Sequence, residues 1–163
     1  MTYTMTELTP KAKRIAAATT IAVAIAGPAE GIRRVWYFDP VGIPTVCMGH
    51  TGADIDKNKV YTDAECDALM TADMKKAVAT VERCVPGLPP KVLGSFADAV
   101  FNGGPKIACD KTNSTAARYL AAGDYEAACK QHPRWNKARK FGVLVELPGL
   151  TKRANLRMDI CLS

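Results

Sequence analysis

Histidine is scarce in this chain and the Cys-x-x-Cys pair is missing. Two histidines and six scattered cysteines among 163 residues leave a zinc site without its ligand spacing and a thioredoxin-like centre without its motif. No helix-turn-helix, zinc knuckle or basic patch interleaved with aromatics is present, although the formal net charge is +6. That charge favours a polyanionic partner, and without nucleic-acid motifs the remaining candidates are anionic lipid headgroups and the acidic cell wall, of which the wall fits better. Internal repeats, low-complexity tracts and a phosphate-cradling glycine loop are also lacking, since Gly103-Gly104 follows a helical pattern and not a strand. No metal or cofactor is therefore expected. The length suits a single domain with a real core, and two lobes sharing one helix would fit it.

The cysteines that are present number six, an even count at wide and irregular spacing: Cys47, Cys66, Cys84, Cys109, Cys129 and Cys161. Disulfides formed in an oxidising compartment are the natural use. The count alone leaves about fifteen connectivities open. The preferred set joins Cys84 to Cys109, which bracket a helical hairpin, then Cys47 to Cys66 and Cys129 to Cys161. Six buried thiols of a cytosolic protein are the alternative, and the N-terminal segment argues against it. There, Lys11, Lys13 and Arg14 precede an apolar stretch from Ile15 to Ala29. A basic start before an apolar stretch is an export signal, with the N-terminus inside and the rest of the chain delivered to the periplasm. The stretch is short for a span, and its Ala and Thr residues contribute little transfer free energy, so it would hold a membrane only marginally. Ala24-Ile25-Ala26 also fits a small-x-small cleavage site, and an amphipathic or buried helix is a third reading.

Immediately after this segment come Glu30-Gly31, then Tyr37-Phe38-Asp39, then Pro44-Thr45-Val46-Cys47-Met48-Gly49-His50-Thr51-Gly52. Two acids and a hydroxyl at these intervals suit glycosidic hydrolysis, in which one carboxyl protonates the leaving oxygen while water is held for attack on the other side of the sugar. The plain structural readings are Glu30 as a helix-end charge, Asp39 as a turn residue before Pro40 and Thr45 as a β-branched strand residue.

The spacing Glu30, Asp39, Thr45 followed by Gly-His-Thr-Gly resembles the signature of the phage-type lysozymes, glycoside hydrolase family 24. Further matching stretches are Tyr61-Thr62-Asp63-Ala64-Glu65, Phe101-Asn102-Gly103-Gly104, Leu120-Ala121-Ala122-Gly123-Asp124 and Arg134-Trp135. They point to the endolysin branch that carries an N-terminal signal-anchor-release segment. The stretch from Lys137 to Pro148 stands outside the resemblance, and Gly103-Gly104-Pro105 departs from the family's usual pattern there.

The resemblance implies an N-acetylmuramidase that cleaves the β-1,4 bond between N-acetylmuramic acid and N-acetylglucosamine of peptidoglycan and lyses the host cell. Glu30 would be the general acid, kept protonated by partial desolvation, with Asp39 and Thr45 holding the attacking water and inversion as the outcome. His50 would be structural, beside Asp73 of the following helix. Asn102, Arg118 and Arg134 are candidates for contacting the glycan. Residues 1–29 would tether an inactive form to the host inner membrane, and release into the periplasm would assemble the site in residues 30–163, acting as a monomer. No cysteine precedes Cys47, so control by an anchor-borne thiol is not open to this chain.

The expected architecture is α+β and mostly helical, with two lobes: a small β-hairpin lobe, a long connecting helix and a helical C-terminal lobe. Apolar and polar residues alternate from Arg33 to His50 around an Asp39-Pro40-Val41-Gly42 turn. Thr62 and Glu65 form a capping box that opens a long helix, whose Cys66, Leu69, Met70, Met74, Ala77, Val78 and Val81 share one face. Pro89-Pro90 opens the next helix, which ends at Gly103-Gly104-Pro105, and shorter helices follow over 114–122, 124–132 and 149–162. Two other classes remain to be separated from a hydrolase: a non-catalytic wall-binding module, and a basic membrane-active protein working through its N-terminal segment.

Overall fold

The computed structural model describes residues 6–29 and 31–163, so Glu30 lies outside the described residues. Helix α1 runs over Pro10–Ala29. Thr9 caps its start, its Oγ1 accepting from Ala12 N–H at 3.1 Å. The Thr19 and Thr20 hydroxyls are satisfied within the helix by the carbonyls of Ile15 and Ala16. Ala18, Ala22, Ile25 and Ala26 recur at helical spacing and are buried. They pack against α3, Pro90–Gly103, where Gly94 permits the closest approach: a Cβ there would lie 2.6 Å from the Ala18 carbonyl oxygen. The Arg14 guanidinium then forks onto Glu82 and also donates to the Leu88 carbonyl at 3.0 Å. Among the described residues no helix is long and apolar enough to cross a membrane.

The small lobe is a three-stranded antiparallel sheet of β1 (Arg33–Phe38), β2 (Pro44–Cys47) and β3 (His50–Thr51), in that order. β2 is central, with Thr45 opposite Tyr37 on one side and Thr51 on the other. Helix α2, Asp63–Cys84, begins at the expected capping box: Glu65 N–H donates to Thr62 Oγ1 and Thr62 N–H to Glu65 Oε2. Its Cys66, Met70, Met74, Ala77, Val78 and Val81 are buried.

Helix α3 is the hub of the helical lobe and contacts α1, α2 and α7. Around it lie α4 (Lys106–Cys109), α5 (Thr115–Ala122), α6 (Tyr125–Cys129), a 3-10 turn at His132–Arg134 and α7 (Pro148–Leu162). Within α3, Asp98 is fully buried and receives Arg153 Nη2 at 2.7 Å and Arg157 Nη1 at 3.1 Å from α7. A buried carboxylate needs such partners, because an isolated charge in an apolar core is strongly disfavoured.

The three disulfides are those expected. Cys47–Cys66 joins the sheet to α2, Cys84–Cys109 joins α2 to α4, and Cys129–Cys161 joins α6 to α7. One element was not expected. The 137–148 stretch holds an antiparallel hairpin, β4 (Lys137–Lys140) with β5 (Val143–Glu146), so the C-terminal lobe has a second sheet.

Candidate active site

Asp39 lies in the turn between β1 and β2. One oxygen, Oδ1, accepts the backbone N–H groups of Val41 at 2.9 Å and Ile43 at 2.8 Å, and the Asp39 N–H donates to the Ile43 carbonyl at 3.0 Å. Side chain and backbone together therefore fix the carboxylate, as aspartate commonly does in turns. The second oxygen, Oδ2, makes no hydrogen bond among the described residues. Thr45 is on the central strand, 3% exposed, and its hydroxyl donates to the Ile43 carbonyl at 3.0 Å. With its proton so committed, Thr45 Oγ1 presents lone pairs to any further partner. Asp39 and Thr45 are thus both organised through Ile43. Glu30, outside the described residues, follows α1 directly in sequence and precedes β1 with two residues between.

His50 sits at the start of β3 and is buried. Its Nδ1 lies 2.8 Å from Asp73 Oδ2 on α2, the partner expected. A second acid was missed: Asp54, whose Oδ1 lies 3.1 Å from His50 Nε2. His50 with an acid four residues on was the available signal, a weak one outside a helix. Gly52 leaves space for this contact, since a Cβ there would collide with Asp54 Oδ1. Burial by itself would lower the His50 pKa, but the hydrogen bonds and charges of Asp73 and Asp54 outweigh it and hold the pKa above the ordinary 6.5. In turn the hydrogen bond from His50 lowers Asp54.

The three glycan-contact candidates lie in different surroundings. Asn102 is exposed on the last turn of α3. Arg118 is spent on local structure, donating to the carbonyls of Lys111 and Thr112 and to Thr115 Oγ1. Arg134 lines an open cavity of about 240 Å³ with Lys106, Asp110, Asn113, Gln131 and Trp135. Gln131 Oε1, also at this cavity, is buried and makes no hydrogen bond among the described residues.

His132, the other histidine, is packed on Phe96 with ring centroids 4.4 Å apart. Burial, with the charge of Arg157, lowers its pKa to about 3, so it remains a neutral core residue.

The phage lysozyme family model matches residues 27–156. The chain belongs to the phage lysozyme family. It is 36% identical over 146 residues to the SAR-endolysin of Bacteriophage PS119, covering 86% of this chain and 83% of that one. To the SAR-endolysin of Enterobacteria phage P21 it is 35% identical over 146 residues, with 86% and 84% covered. Among solved structures, the muramidase domain of SpmX from Asticaccaulis excentricus superimposes with a TM-score of 0.74 at 22% identity, covering 90% of this chain and 95% of that one, a likeness of fold. The α+β, mostly helical architecture is that of this family's structures.

Proposed function

We propose that this chain is an exported endolysin that hydrolyses the β-1,4 bond between N-acetylmuramic acid and N-acetylglucosamine of peptidoglycan. Residues 1–29 first hold it at the host inner membrane, and residues 30–163 act in the periplasm once that segment is released. Membership of the phage lysozyme family supports the reaction, and the SAR-endolysin relatives support the tether. The observation that carries the chemistry is the asymmetry of Asp39: one oxygen anchors its own turn, and the other makes no hydrogen bond among the described residues.

In this reading a water directs one hydrogen to Asp39 Oδ2 and the other to Thr45 Oγ1, leaving its lone pair for the anomeric carbon. Glu30 gives its proton to the glycosidic oxygen as that C–O bond breaks, the water oxygen bonds to the anomeric carbon, and Asp39 accepts the water's proton. Attack from the face opposite the leaving group inverts the configuration. The packing of α1 is part of the mechanism, because the face formed by Ala18, Ala22, Ile25 and Ala26 cannot meet lipid and α3 at once. This packing supports reading the described form as the released enzyme.

The test is clearing of purified peptidoglycan by Glu30→Gln. Activity should fall by at least about a thousandfold while the thermal midpoint stays near that of the parent, since the amide keeps the shape but cannot donate the proton. Retention of activity within tenfold would remove Glu30 from the role of acid. Unimpaired binding to the wall by an inactive parent protein would favour the non-catalytic module instead.

A further inference from the structure

At the tip of the β4–β5 hairpin the paired strands leave a two-residue turn, Phe141-Gly142, with φ of +52° and +78°. Both values are positive, as in a type I′ turn, where Asn-Gly is the usual pair. Gly142 suits its position, but a bulky aromatic at positive φ is strained. Internal packing does not compensate, since Phe141 is 98% exposed and its neighbours Val143 and Leu144 are 62% and 58% exposed.

Three exposed cations, Lys137, Arg139 and Lys140, stand on the adjoining strand, with Glu146 the only acid within the two strands. The support beneath is fixed. Leu147 N–H donates to the Asn136 carbonyl at 3.0 Å, Asn136 Nδ2 donates to Thr151 Oγ1 at 3.2 Å, and Arg139 Nη1 donates across the turn to the Gly142 carbonyl at 3.2 Å. The hairpin is therefore a braced projection with an apolar end and cations on both faces, Lys140 beside Val143 on one and Arg139 beside Leu144 on the other.

We propose that this hairpin docks the protein on an anionic phospholipid surface, with Phe141, Val143 and Leu144 entering the boundary between headgroups and acyl chains and Lys137, Arg139 and Lys140 facing lipid phosphates. A glycan strand fits less well. A sugar ring stacks on an aromatic face but gains little from the adjoining aliphatic pair, whereas a bilayer accepts all three apolar side chains and its phosphates complement all three cations. The arrangement is separate in sequence from α1, whose Ala18, Ala22, Ile25 and Ala26 face is buried in the form described, and from the Asp39 turn. It does not depend on the chain being a hydrolase.

Co-sedimentation of the folded full chain with vesicles tests this, comparing phosphatidylcholine alone with a phosphatidylcholine and phosphatidylglycerol mixture. The parent should bind the mixed vesicles at least about tenfold better than the neutral ones, and added salt should weaken that binding. Phe141→Asn should lower binding by about tenfold, because burying a phenylalanine side chain is worth at least that factor. Its thermal midpoint should hold or rise, because asparagine tolerates positive φ. Lys140→Glu should weaken binding at least about fivefold, a factor set by loss of one surface cation. Vesicle binding that neither change alters would place the contact elsewhere, for instance in the N-terminal segment, and overturn the proposal. So would no binding by the parent, equal binding to neutral vesicles, or a Phe141→Asn effect on isolated cell walls with none on vesicles.

Discussion

In the helical lobe Asp98 faces two arginines, side chains that keep their charge across any pH at which the fold exists, whereas beneath the small lobe Asp73 faces a histidine that titrates near neutrality. Burial lowers the Arg157 pKa, and the charge of Asp98 opposes that effect. The first joint is sealed in the core between α3 and α7. The second ties a strand of the small sheet to α2 and opens towards solvent through Asp54, which is 63% exposed. Both use charge to connect elements distant in sequence, but only the joint at the edge of the small lobe responds to pH. A fold built this way has a permanently ionic centre and a small lobe whose attachment can loosen.

The comparison breaks most severely at Asp98. Asp98→Ala leaves Arg153 without its carboxylate fork and Arg157 facing a cavity in place of its anion. Removing one partner of a buried ion pair typically costs about 3–5 kcal/mol. The expected result is a large fall in the denaturant midpoint with all three disulfides intact. A midpoint close to the parent's would mean that this joint contributes little to folding.

An intermediate effect is expected where α1 meets α3. A methyl group added by Gly94→Ala would approach the Ala18 carbonyl oxygen to 2.6 Å and the Ile21 side chain to 2.8 Å, so α1 must shift. Overpacking of this kind costs about 1–3 kcal/mol. The variant should be less active on peptidoglycan and more readily cut within α1 by protease than the parent. Full activity with an unchanged digestion pattern would show that the close approach is not needed for docking.

What could be read in advance follows from the range of the interactions. The Thr62–Glu65 box, the buried face of α2 and the Asp39 turn are local patterns, and local chemistry determines them. Asp98 carried no such signal. It sits inside an apolar helical run, and its partners lie 55 and 59 residues further on.

The hairpin was missed for a different reason. Lys137 to Lys140 and Val143 to Glu146 do not alternate, and Phe141-Gly142 is not a usual turn pair. The N-terminal segment left an export signal, a cleavable signal and a buried helix all open, because the same Ala-rich face suits a weak membrane anchor and close packing against Gly94.

The smallest effect, and the sharpest contrast with Asp98, belongs to His50. Its pKa is raised in the folded protein, so its contribution is full below the unfolded value of about 6.5 and is lost as pH rises through the higher folded value. Asp54 is lowered by His50, so its contribution is full above an unfolded value of about 3.9 and is lost as pH falls through the folded one. The joint therefore contributes most between about pH 4 and 6.5, a window set by those two groups. Asp73→Asn keeps the side-chain size but removes the charge beside Nδ1, so an NMR titration should show the His50 pKa falling, while stability drops by about 1 kcal/mol at pH 5.5 and by less at pH 8. Asp98→Asn, by contrast, should lose the same stability at both pH values, because arginine does not titrate between them. If Asp73→Asn left the His50 pKa unchanged, or destabilised the protein equally at pH 5.5 and 8, the small lobe would be held by packing and the Cys47–Cys66 bridge rather than by a titratable pair.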